Sequence, residues 1–409
     1  MSGSMDEHRV RISLDRAGRD KDPAQTSSPA DPPQAPLVIK LETPLRRSVL
    51  AMGADMKNSI AAGYGSGVEL SAHTGDLDIP EGMDRLEHAA RDLRTRLGGG
   101  PDVVAVDLHP DMRSTRLGRR LAAEWNLPVV EVQHHHAHAA ACLAEHQRQE
   151  GLVLVMDGTG WGGDGTIWGA EVLELKGNSC CRRASFLPVP LPGGDAAVRR
   201  PARQVIGRWV EAGIQWTDRD LNELGVTHDE ADVWRQQCGR RINAPLTHAA
   251  GRLFDAFSAV LGLVPCEISR EGEPAIRLEE AARAWAGDAL PDIPFRIISD
   301  TGFLRVDWAP AFRRLHESPS ARDHAEQWAM AVHVAVAQAA TAMITFALRD
   351  KPEPCVGLSG GVFVNRILNR LLECDLDRAG VRILRHRQTP PGDGCIALGQ
   401  ALVAGRGEE

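Results

Sequence analysis

Aromatic side chains are scarce in this chain of 409 residues: they make up 4% of it and include a single tyrosine. Few surfaces can therefore stack the bases of single-stranded nucleic acid. The formal net charge of -8 also disfavours a protein that coats nucleic acid, although it leaves room for a local basic pocket. Uninterrupted apolar runs long enough to span a membrane are missing, and the polar first residues contain no secretory signal. The sequence predicts neither a nucleic-acid partner nor a membrane partner.

The eight cysteines are scattered, and none of them forms a C-x-x-C pair. This spacing indicates neither a zinc ribbon nor a disulfide-stapled domain. Charged residues make up 25% of the chain and apolar residues 43%, an ordinary composition for a protein with sizeable cores. A reduced, cytoplasmic protein is the simplest interpretation.

Residues 1–44 are rich in proline and poor in large apolar groups. Such a segment cannot bury enough surface to offset the entropy lost on ordering, so it is predicted to be a disordered tail. From residue 45 onward strands and helices alternate, which is typical of an α/β fold. We expect a first lobe over residues 45–150 and a second over residues 151–409, with a mostly helical region at about residues 195–350.

Two segments share one order of features, in which an apolar strand, a glycine-containing turn and a second apolar strand follow one another. Residues 49–52, VLAM, align with residues 153–156, VLVM. A duplicated hairpin of this kind predicts two related lobes, and chance similarity of short apolar strands is the alternative.

A histidine cluster, VQHHHAHAAACLAEH, occupies residues 132–146. On a helix, His134 and His138 stand four residues apart and share one face, so two neutral imidazoles can bind one metal ion. A lone helical histidine is usually structural, but four within five residues are not typical of a core. His135 and His136 point elsewhere, where they hydrogen-bond substrate or cap the start of the helix.

Carboxylates at glycine turns are natural further ligands, because glycine lets the backbone approach an ion or a phosphate. Asp157, in VMDGTGWGGDG, is predicted to end a buried strand and open such a turn, with Gly158 and Thr159 beside the cofactor. Asp393, in PPGDGCIALGQ, precedes the last helix. For each aspartate taken alone, an Asx-turn or a helix cap is the commoner role.

The segment LSGGVFVNRIL reads as a strand, the Gly360-Gly361 turn and a helix, an arrangement whose backbone N–H groups attract anions. It is not a Walker A loop, and a tight turn that needs small residues is the alternative. Lys57, in the turn of the first hairpin, is a candidate for contacting a phosphate, although exposed turn lysines are usually solvated. Arg252 and Asp255, three residues apart on an apolar helix, are expected to form a structural ion pair.

Together these segments resemble the HypF hydrogenase maturation carbamoyltransferase family, in family order from about residue 45 to about residue 405. The resemblance implies the duplicated ASKHA fold of actin and the sugar kinases. It also implies a mononuclear divalent metal (Fe, Zn or Mn) and an ATP site between the lobes that touches the Gly360-Gly361 turn, with Asn365 nearby. Lys57 and His135 are the catalytic candidates. The metal ligands it implies are His134, His138, Asp157 and Asp393. The segments that carry the resemblance are GADMKNSIAAGYGSGVELSAHTGDLD, VQHHHAHAAACLAEH, MDGTGWGGDGTIWGAEVLE, LPGGDAAVRRPARQ, AGRLFDAFSAVLGL, LSGGVFVNRIL and PPGDGCIALGQA.

The family converts carbamoyl phosphate and ATP through carbamoyl-adenylate and carbamoylates the C-terminal cysteine of its partner HypE. The resemblance therefore implies the same substrates and a HypE-like partner here. It matches only the C-terminal part of the family, without the acylphosphatase, zinc-finger and YrdC-like domains, and the YrdC-like domain is where the family forms the adenylate. Three interpretations follow: this chain performs both steps, receives the adenylate, or only hydrolyses carbamoyl compounds. Small-molecule O-carbamoylation and a non-catalytic metal- and nucleotide-binding scaffold are the alternative functions.

Overall fold

The computed structural model describes residues 34–349 and 351–407. Residues 1–33 of the predicted tail lie outside that range. The prediction of a tail is wrong for its last part, because Leu37–Lys40 form a strand that pairs antiparallel with Gly67–Leu70. The side chain of Ile39 is buried in this strand, and its alternation with exposed neighbours is a short edge-strand pattern that the proline content concealed.

The first sheet consists of β1 (Leu37–Lys40), β2 (Val49–Ala51), β3 (Ala61–Tyr64), β4 (Gly67–Leu70), β5 (Val103–Asp107) and β6 (Val129–Val132). Their spatial order is β1-β4-β3-β2-β5-β6. Strands β2 and β5 are buried along their whole length, which explains their continuous apolar sequences.

The second sheet is built around β7 (Gly151–Trp161), β8 (Ile167–Lys176), β9 (Ser179–Phe186), β12 (Arg296–Asp300), β13 (Phe303–Asp307), β14 (Cys355–Ser359) and β15 (Arg382–Leu384), with the short strands β10 (Val189–Pro190) and β11 (Leu246–Thr247) beside it. Its main order is β12-β13-β9-β8-β7-β14-β15.

The two sheets repeat one topology. The order β4-β3-β2-β5-β6 in the first corresponds to β9-β8-β7-β14-β15 in the second. In both, three antiparallel strands are followed by two strands that are added in parallel. The duplication predicted from the two hairpins is confirmed, and the chain has the two-lobe ASKHA architecture.

Thirteen helices cover these sheets in the described part of the chain: α1 (Pro80–Arg96), α2 (Arg113–Trp125), α3 (His134–Ala144), α4 (Ala196–Arg199), α5 (Ala202–Ala212), α6 (Asp218–Leu224), α7 (His228–Arg240), α8 (Ala250–Val260), α9 (Glu273–Ala284), α10 (Ala309–His316), α11 (Ala325–Leu348), α12 (Arg366–Arg378) and α13 (Ile396–Arg406). The region at about residues 195–350 is mostly helical, as expected. The prediction missed the β12-β13 hairpin inside it, which extends the second sheet because β13 pairs in parallel with β9.

By length and composition alone, α11 could cross a membrane, but 61% of its most apolar window is buried inside the protein. Trp328, Val332 and Val336 of this helix belong to the largest apolar core, which it shares with β7 and β8 residues. The pattern is that of a core helix that is apolar nearly all round.

Helices α3 and α13 pack against each other between the sheets. A Cβ atom on Gly399 would lie 1.9 Å from the carbonyl oxygen of Ala137, so only glycine permits this approach. Both helices share one apolar core with β2, β5 and β7. The expected assignment of residues 151–409 to the second lobe does not describe α13, which packs against strands β2 to β6 of the first sheet.

Candidate metal centre

Four side chains from three distant parts of the chain converge at the start of α3. Each of His134, His138, Asp157 and Asp393 offers one ligand atom, and these atoms all lie within 4.8 Å of one another. The His138 Nε2 atom is 3.0 Å from Asp157 Oδ2 and 4.0 Å from Asp393 Oδ1, and His134 Nε2 is 3.7 Å from both carboxylates. Among the described residues this is the one group of at least three such side chains able to hold a metal ion.

Local structure explains how each ligand is placed. Helix α3 begins with Gln133, whose side chain accepts the His136 backbone N–H and thereby caps the helix. His136 is thus not itself the cap. Asp157 does not end its strand as predicted, because β7 continues to Trp161 and Asp157 lies at a register shift between Met156 and Gly160. Such a bulge re-aims a side chain out of the regular alternation. Asp393 begins a short 3-10 helix just before α13.

The Gly360-Gly361 turn lies directly against this bulge. Gly360 has φ of 105°, and a Cβ atom there would be 2.1 Å from the carbonyl oxygen of Met156. A Cβ atom on Gly361 would stand 3.1 Å from Asp157 Oδ1. Close packing on β7 therefore requires glycine at position 360, whereas at position 361 it disfavours a larger residue only through the Asp157 side chain. This steric role exists whether or not the turn also binds a nucleotide.

Both candidate histidine ligands are held through the nitrogen that faces away from the cluster. His134 Nδ1 is 2.7 Å from Asp107 Oδ2, and His138 Nδ1 is 3.1 Å from Ser359 Oγ. Asp107 and Ser359 are completely buried. Sequence reasoning missed both residues. Asp107 had a usable signal, since it ends the buried strand VVAVD, whereas nothing local marked Ser359.

The protonation of the cluster follows from its charges. Burial lowers the pKa of His134, but the carboxylates of Asp107, Asp157 and Asp393 together outweigh burial and raise that pKa well above its ordinary value. For His138, burial prevails and lowers the pKa. Burial raises the pKa of Asp157, yet hydrogen bonds from His134 and His138 hold it well below its ordinary value. A divalent cation therefore competes with a proton for the His134 nitrogen.

The donor set fits a divalent metal. Two imidazoles keep Nε2 directed at the cluster because Nδ1 is engaged elsewhere, and two carboxylates supply oxygen donors and negative charge. A mixed nitrogen and oxygen set of this kind suits Fe(II), Zn(II) or Mn(II). Hydrogen bonding of a ligand histidine to a buried carboxylate is a common support of such sites.

His135 lies beside the cluster but faces the second sheet. Its Nδ1 is 2.7 Å from Glu171 Oε2, and its completely buried Nε2 has no hydrogen-bond partner among the described residues. A Cβ atom on Gly160 would lie 2.5 Å from that Nε2 atom. Burial lowers the pKa of His136 to about 4, so its imidazole is neutral at ordinary pH.

The other predicted residues do not belong to the four-residue cluster. Lys57 is exposed in the loop after β2, and its backbone N–H donates to Asp76 Oδ1. Thr159 is exposed, next to Gly158 on β7. Asn365 caps α12 by accepting the Leu368 N–H. The cofactor roles of these residues stay predictions.

A buried ion pair lies on the far side of Gly158. Arg252 Nε is 3.2 Å from Asp255 Oδ2, which confirms the expected pairing, and Arg252 Nη2 is 3.3 Å from Glu271 Oε1. Burial raises the pKa of Glu271 against the effect of Arg252, and the negative charges of Asp393 and Asp157 raise it further. Sequence reasoning missed Glu271, which the fold brings close to the metal-centre carboxylates.

Two family models match the chain. The "HypF Kae1-like domain" covers residues 44–145, and the "Carbamoyltransferase, Kae1-like Domain, second subdomain" covers residues 153–400, more than half of the chain. Among curated relatives, the Carbamoyltransferase HypF homolog of Cupriavidus necator is 36% identical over 88% of this chain and 91% of its own length.

Other relatives are longer. Carbamoyltransferase HypF2 of Cupriavidus necator is 34% identical over 87% of this chain and 46% of its own length, and Carbamoyltransferase HypF of Rhodobacter capsulatus is 38% identical over 87% and 46%. This chain thus spans about half the length of these relatives. A crystal structure of full-length HypF in a phosphate- and nucleotide-bound form superposes with a TM-score of 0.81 at 30% identity, covering 91% of this chain and 48% of that one.

Proposed function

Because this chain belongs to the HypF carbamoyltransferase family, we propose that it is a carbamoyltransferase of [NiFe]-hydrogenase maturation. It uses carbamoyl phosphate and ATP, by way of carbamoyl-adenylate, to carbamoylate the C-terminal cysteine of a HypE-like partner. The product serves synthesis of the cyanide ligand of the hydrogenase iron. The observation that carries this proposal is the convergence of two histidines and two aspartates within a chain of that family.

The four converging side chains would hold one divalent metal ion. When bound, the metal would neutralise phosphate charge and polarise the carbamoyl carbonyl. The chain itself keeps the two imidazoles oriented, through Asp107 and Ser359, before any substrate arrives. Orientation of this kind lowers the reorganisation that the reaction requires.

The transfer step requires a nucleophile from the partner. The thiolate of its C-terminal cysteine attacks the carbamoyl carbon, a C–S bond forms, and the C–O bond to the adenylate phosphate breaks as AMP departs with that electron pair. The thiol proton is lost to solvent beforehand, when the thiolate forms. The cysteines of this chain are not needed as nucleophiles.

We assign to His135 the orientation of the carbamoyl group once Gly160, which covers its Nε2 atom, has moved aside. Its Nδ1 is hydrogen-bonded to Glu171, and its Nε2, which has no partner among the described residues, would then accept a hydrogen bond from the carbamoyl NH2 group. Lys57 adds positive charge at the phosphate, and Arg252 places a buried guanidinium beside Gly158. A related HypF solved with phosphate and nucleotide bound supports a nucleotide site, which we assign to the Gly360-Gly361 turn, Asn365 and the Gly158-Thr159 segment.

The test combines the purified chain with carbamoyl phosphate, ATP and a HypE-like protein. Mass spectrometry should detect one carbamoyl group on the partner's C-terminal cysteine, and none on a partner lacking that cysteine. His138→Ala is the matched inactive variant. If the intact, folded chain yields no carbamoylated cysteine, either from carbamoyl phosphate and ATP or from supplied carbamoyl-adenylate, the proposed transferase function is wrong.

The activation step is measured separately. Carbamoyl-phosphate-dependent ATP–pyrophosphate exchange should be catalysed if this chain forms the adenylate itself. Exchange without transfer, or transfer only from supplied adenylate, would identify which half-reaction belongs to this chain. Carbamoylation of an added alcohol instead of the cysteine would favour the alternative of small-molecule O-carbamoylation.

A further inference from the structure

A chain of buried hydrogen bonds runs from His138 to a carboxylate on the opposite end of α3. His138 Nδ1 is 3.1 Å from Ser359 Oγ, and Ser359 Oγ is 2.9 Å from His386 Nε2. His386 Nδ1 is in turn 3.0 Å from Glu145 Oε1. All four residues are at most 5% exposed. The groups come from α3, from the end of β14 and from the segment after β15.

Glu145 is the fixed end of this chain. Its oxygens accept the backbone N–H groups of Arg387 and Gln388 at 2.6 Å and of Thr389 at 3.2 Å, and the Thr389 hydroxyl also donates to it. Burial raises the pKa of Glu145, but the His386 imidazole and these donors outweigh burial and lower the pKa to about 2. Glu145 is therefore a carboxylate, which can only accept hydrogen bonds.

The donor and the acceptor of each hydrogen bond in this series follow from the ionised state of Glu145. His386 must donate its Nδ1–H to Glu145. If the opposite nitrogen of His386 is unprotonated, the Ser359 hydroxyl donates to it at 2.9 Å, and if it is protonated, the hydroxyl donates to the Pro391 carbonyl oxygen at 3.3 Å. In both cases a lone pair of Ser359 Oγ remains for the Nδ1–H of His138.

We infer that Glu145, His386 and Ser359 are positioning residues that hold His138 in the tautomer and ring orientation needed to present its Nε2 lone pair to the metal. The inference rests on the proposed metal centre. His138 is thus supported by a carboxylate that acts through two intervening residues, whereas His134 is hydrogen-bonded directly to the carboxylate of Asp107. Cys395 Sγ, 3.3 Å from His138 Nδ1, is a weaker and more distant acceptor that does not replace the hydroxyl.

The experiment measures metal affinity and does not depend on activity. The metal-free chain is titrated with Zn(II) against a chromophoric chelator, and Co(II) spectra report ligand geometry. Ser359→Ala should weaken Zn(II) binding about 10-fold or more, the usual cost of losing an outer hydrogen bond to a ligand histidine. Ser258→Ala is the matched control, because Ser258 is equally buried but its hydroxyl has no hydrogen-bond partner among the described residues. Its affinity should match that of the unaltered chain.

Two further variants separate a relay from a general packing effect. His386→Leu should weaken binding by less than Ser359→Ala, because the Ser359 hydroxyl can still donate to the Pro391 carbonyl oxygen and accept from His138. The double variant should be no weaker than Ser359→Ala alone, because residues acting in series are not additive. His386→Gln restores an acceptor towards Ser359 and should recover part of the affinity. Equal affinity for the unaltered chain and folded Ser359→Ala, or additive losses, would overturn the relay alone. Absence of Zn(II) binding by the unaltered chain would overturn the metal centre as well.

Discussion

Asp107 and Ser359 occupy corresponding positions in the two halves of the molecule. Each is the last residue of a buried five-residue strand, β5 or β14, that pairs in parallel with the first strand of its hairpin. Each also contacts the Nδ1 atom of one candidate ligand, His134 or His138. The duplicated fold thus presents two equivalent strand ends to the two histidines.

The two halves use this shared position differently. In the first half the strand ends in a carboxylate, which bonds His134 directly. In the second it ends in a hydroxyl, and the carboxylate, Glu145, acts through His386. The same divergence is seen at the residue that follows each aligned tetrapeptide: Gly53 donates its N–H to Gln400, whereas Asp157 belongs to the candidate metal centre. Duplication supplied the geometry, and single residues then decided the chemistry of each half.

The largest expected effect on metal binding comes from replacing Asp157, because the corresponding residue of the first half, Gly53, has no side chain that could bind a metal. Asp157→Asn removes a carboxylate placed 3.0 Å from His138 Nε2, so the divalent metal ion should be lost from the purified protein, together with transferase activity. Metal content by elemental analysis, beside circular dichroism to verify folding, measures this. Full metal content in the folded variant would contradict the assignment of Asp157 as a ligand.

Glu145, the carboxylate that supports His138 through His386 and Ser359, should contribute to the stability of the protein towards acid. The pKa of Glu145 is about 2 in the folded chain and ordinarily 4.5, so the stability it contributes is present above about pH 4.5 and is lost as pH falls towards 2. At pH 7, Glu145→Gln should lower the free energy of unfolding by about 3 kcal/mol. Urea unfolding of the metal-free proteins from pH 7 to pH 3 should show the difference shrinking. A difference independent of pH would contradict this origin.

The direct hydrogen bond between His134 and Asp107 should matter more for metal binding than the support of His138 that is relayed through Ser359. Asp107→Asn exchanges a charge-assisted bond to His134 for a neutral one and should weaken Zn(II) binding about 100-fold, equivalent to about 2.8 kcal/mol. Asp111→Asn is the control, because Asp111 is exposed and its carboxylate pairs with the exposed Arg116 side chain at the surface. A smaller loss than that of Ser359→Ala would reverse the comparison.

The smallest effect is expected from replacing Asp55, an aspartate of the first half that caps a helix. Asp55 accepts the backbone N–H groups of Arg113 and Ser114 at 2.9 Å and so caps α2 from the β2-β3 loop. Asp55→Ala should cost about 1 kcal/mol of unfolding free energy while leaving Zn(II) affinity unchanged. Thermal unfolding measures the loss of stability, and the chelator titration measures the Zn(II) affinity. A loss of Zn(II) binding would contradict the purely structural role of Asp55.

Much of the fold could be predicted because its signals are local. Continuous apolar runs marked β5, β7 and β14, helical periodicity marked α2, and a long run that is apolar nearly all round marked α11. Strand Leu37–Lys40 and the β12-β13 hairpin were missed, because edge strands with exposed positions carry a weak pattern. The register shift at Asp157 arises in the pairing with β8; Gly158 and Gly160 mark it in the sequence, where they were interpreted as a turn that ends the strand.

The sequence by itself determined that His134 and His138 share a helix face, since this follows from their spacing, and it predicted a duplicated hairpin for which chance similarity was the alternative. With the family resemblance, it also predicted Asp157 and Asp393 as the ligands that complete the site. Only the tertiary structure decided what holds those histidines. Asp107, Ser359, His386 and Glu145 meet through strand ends and loops far apart in the chain, and hydrogen bonds between such distant residues follow from packing and from no local pattern.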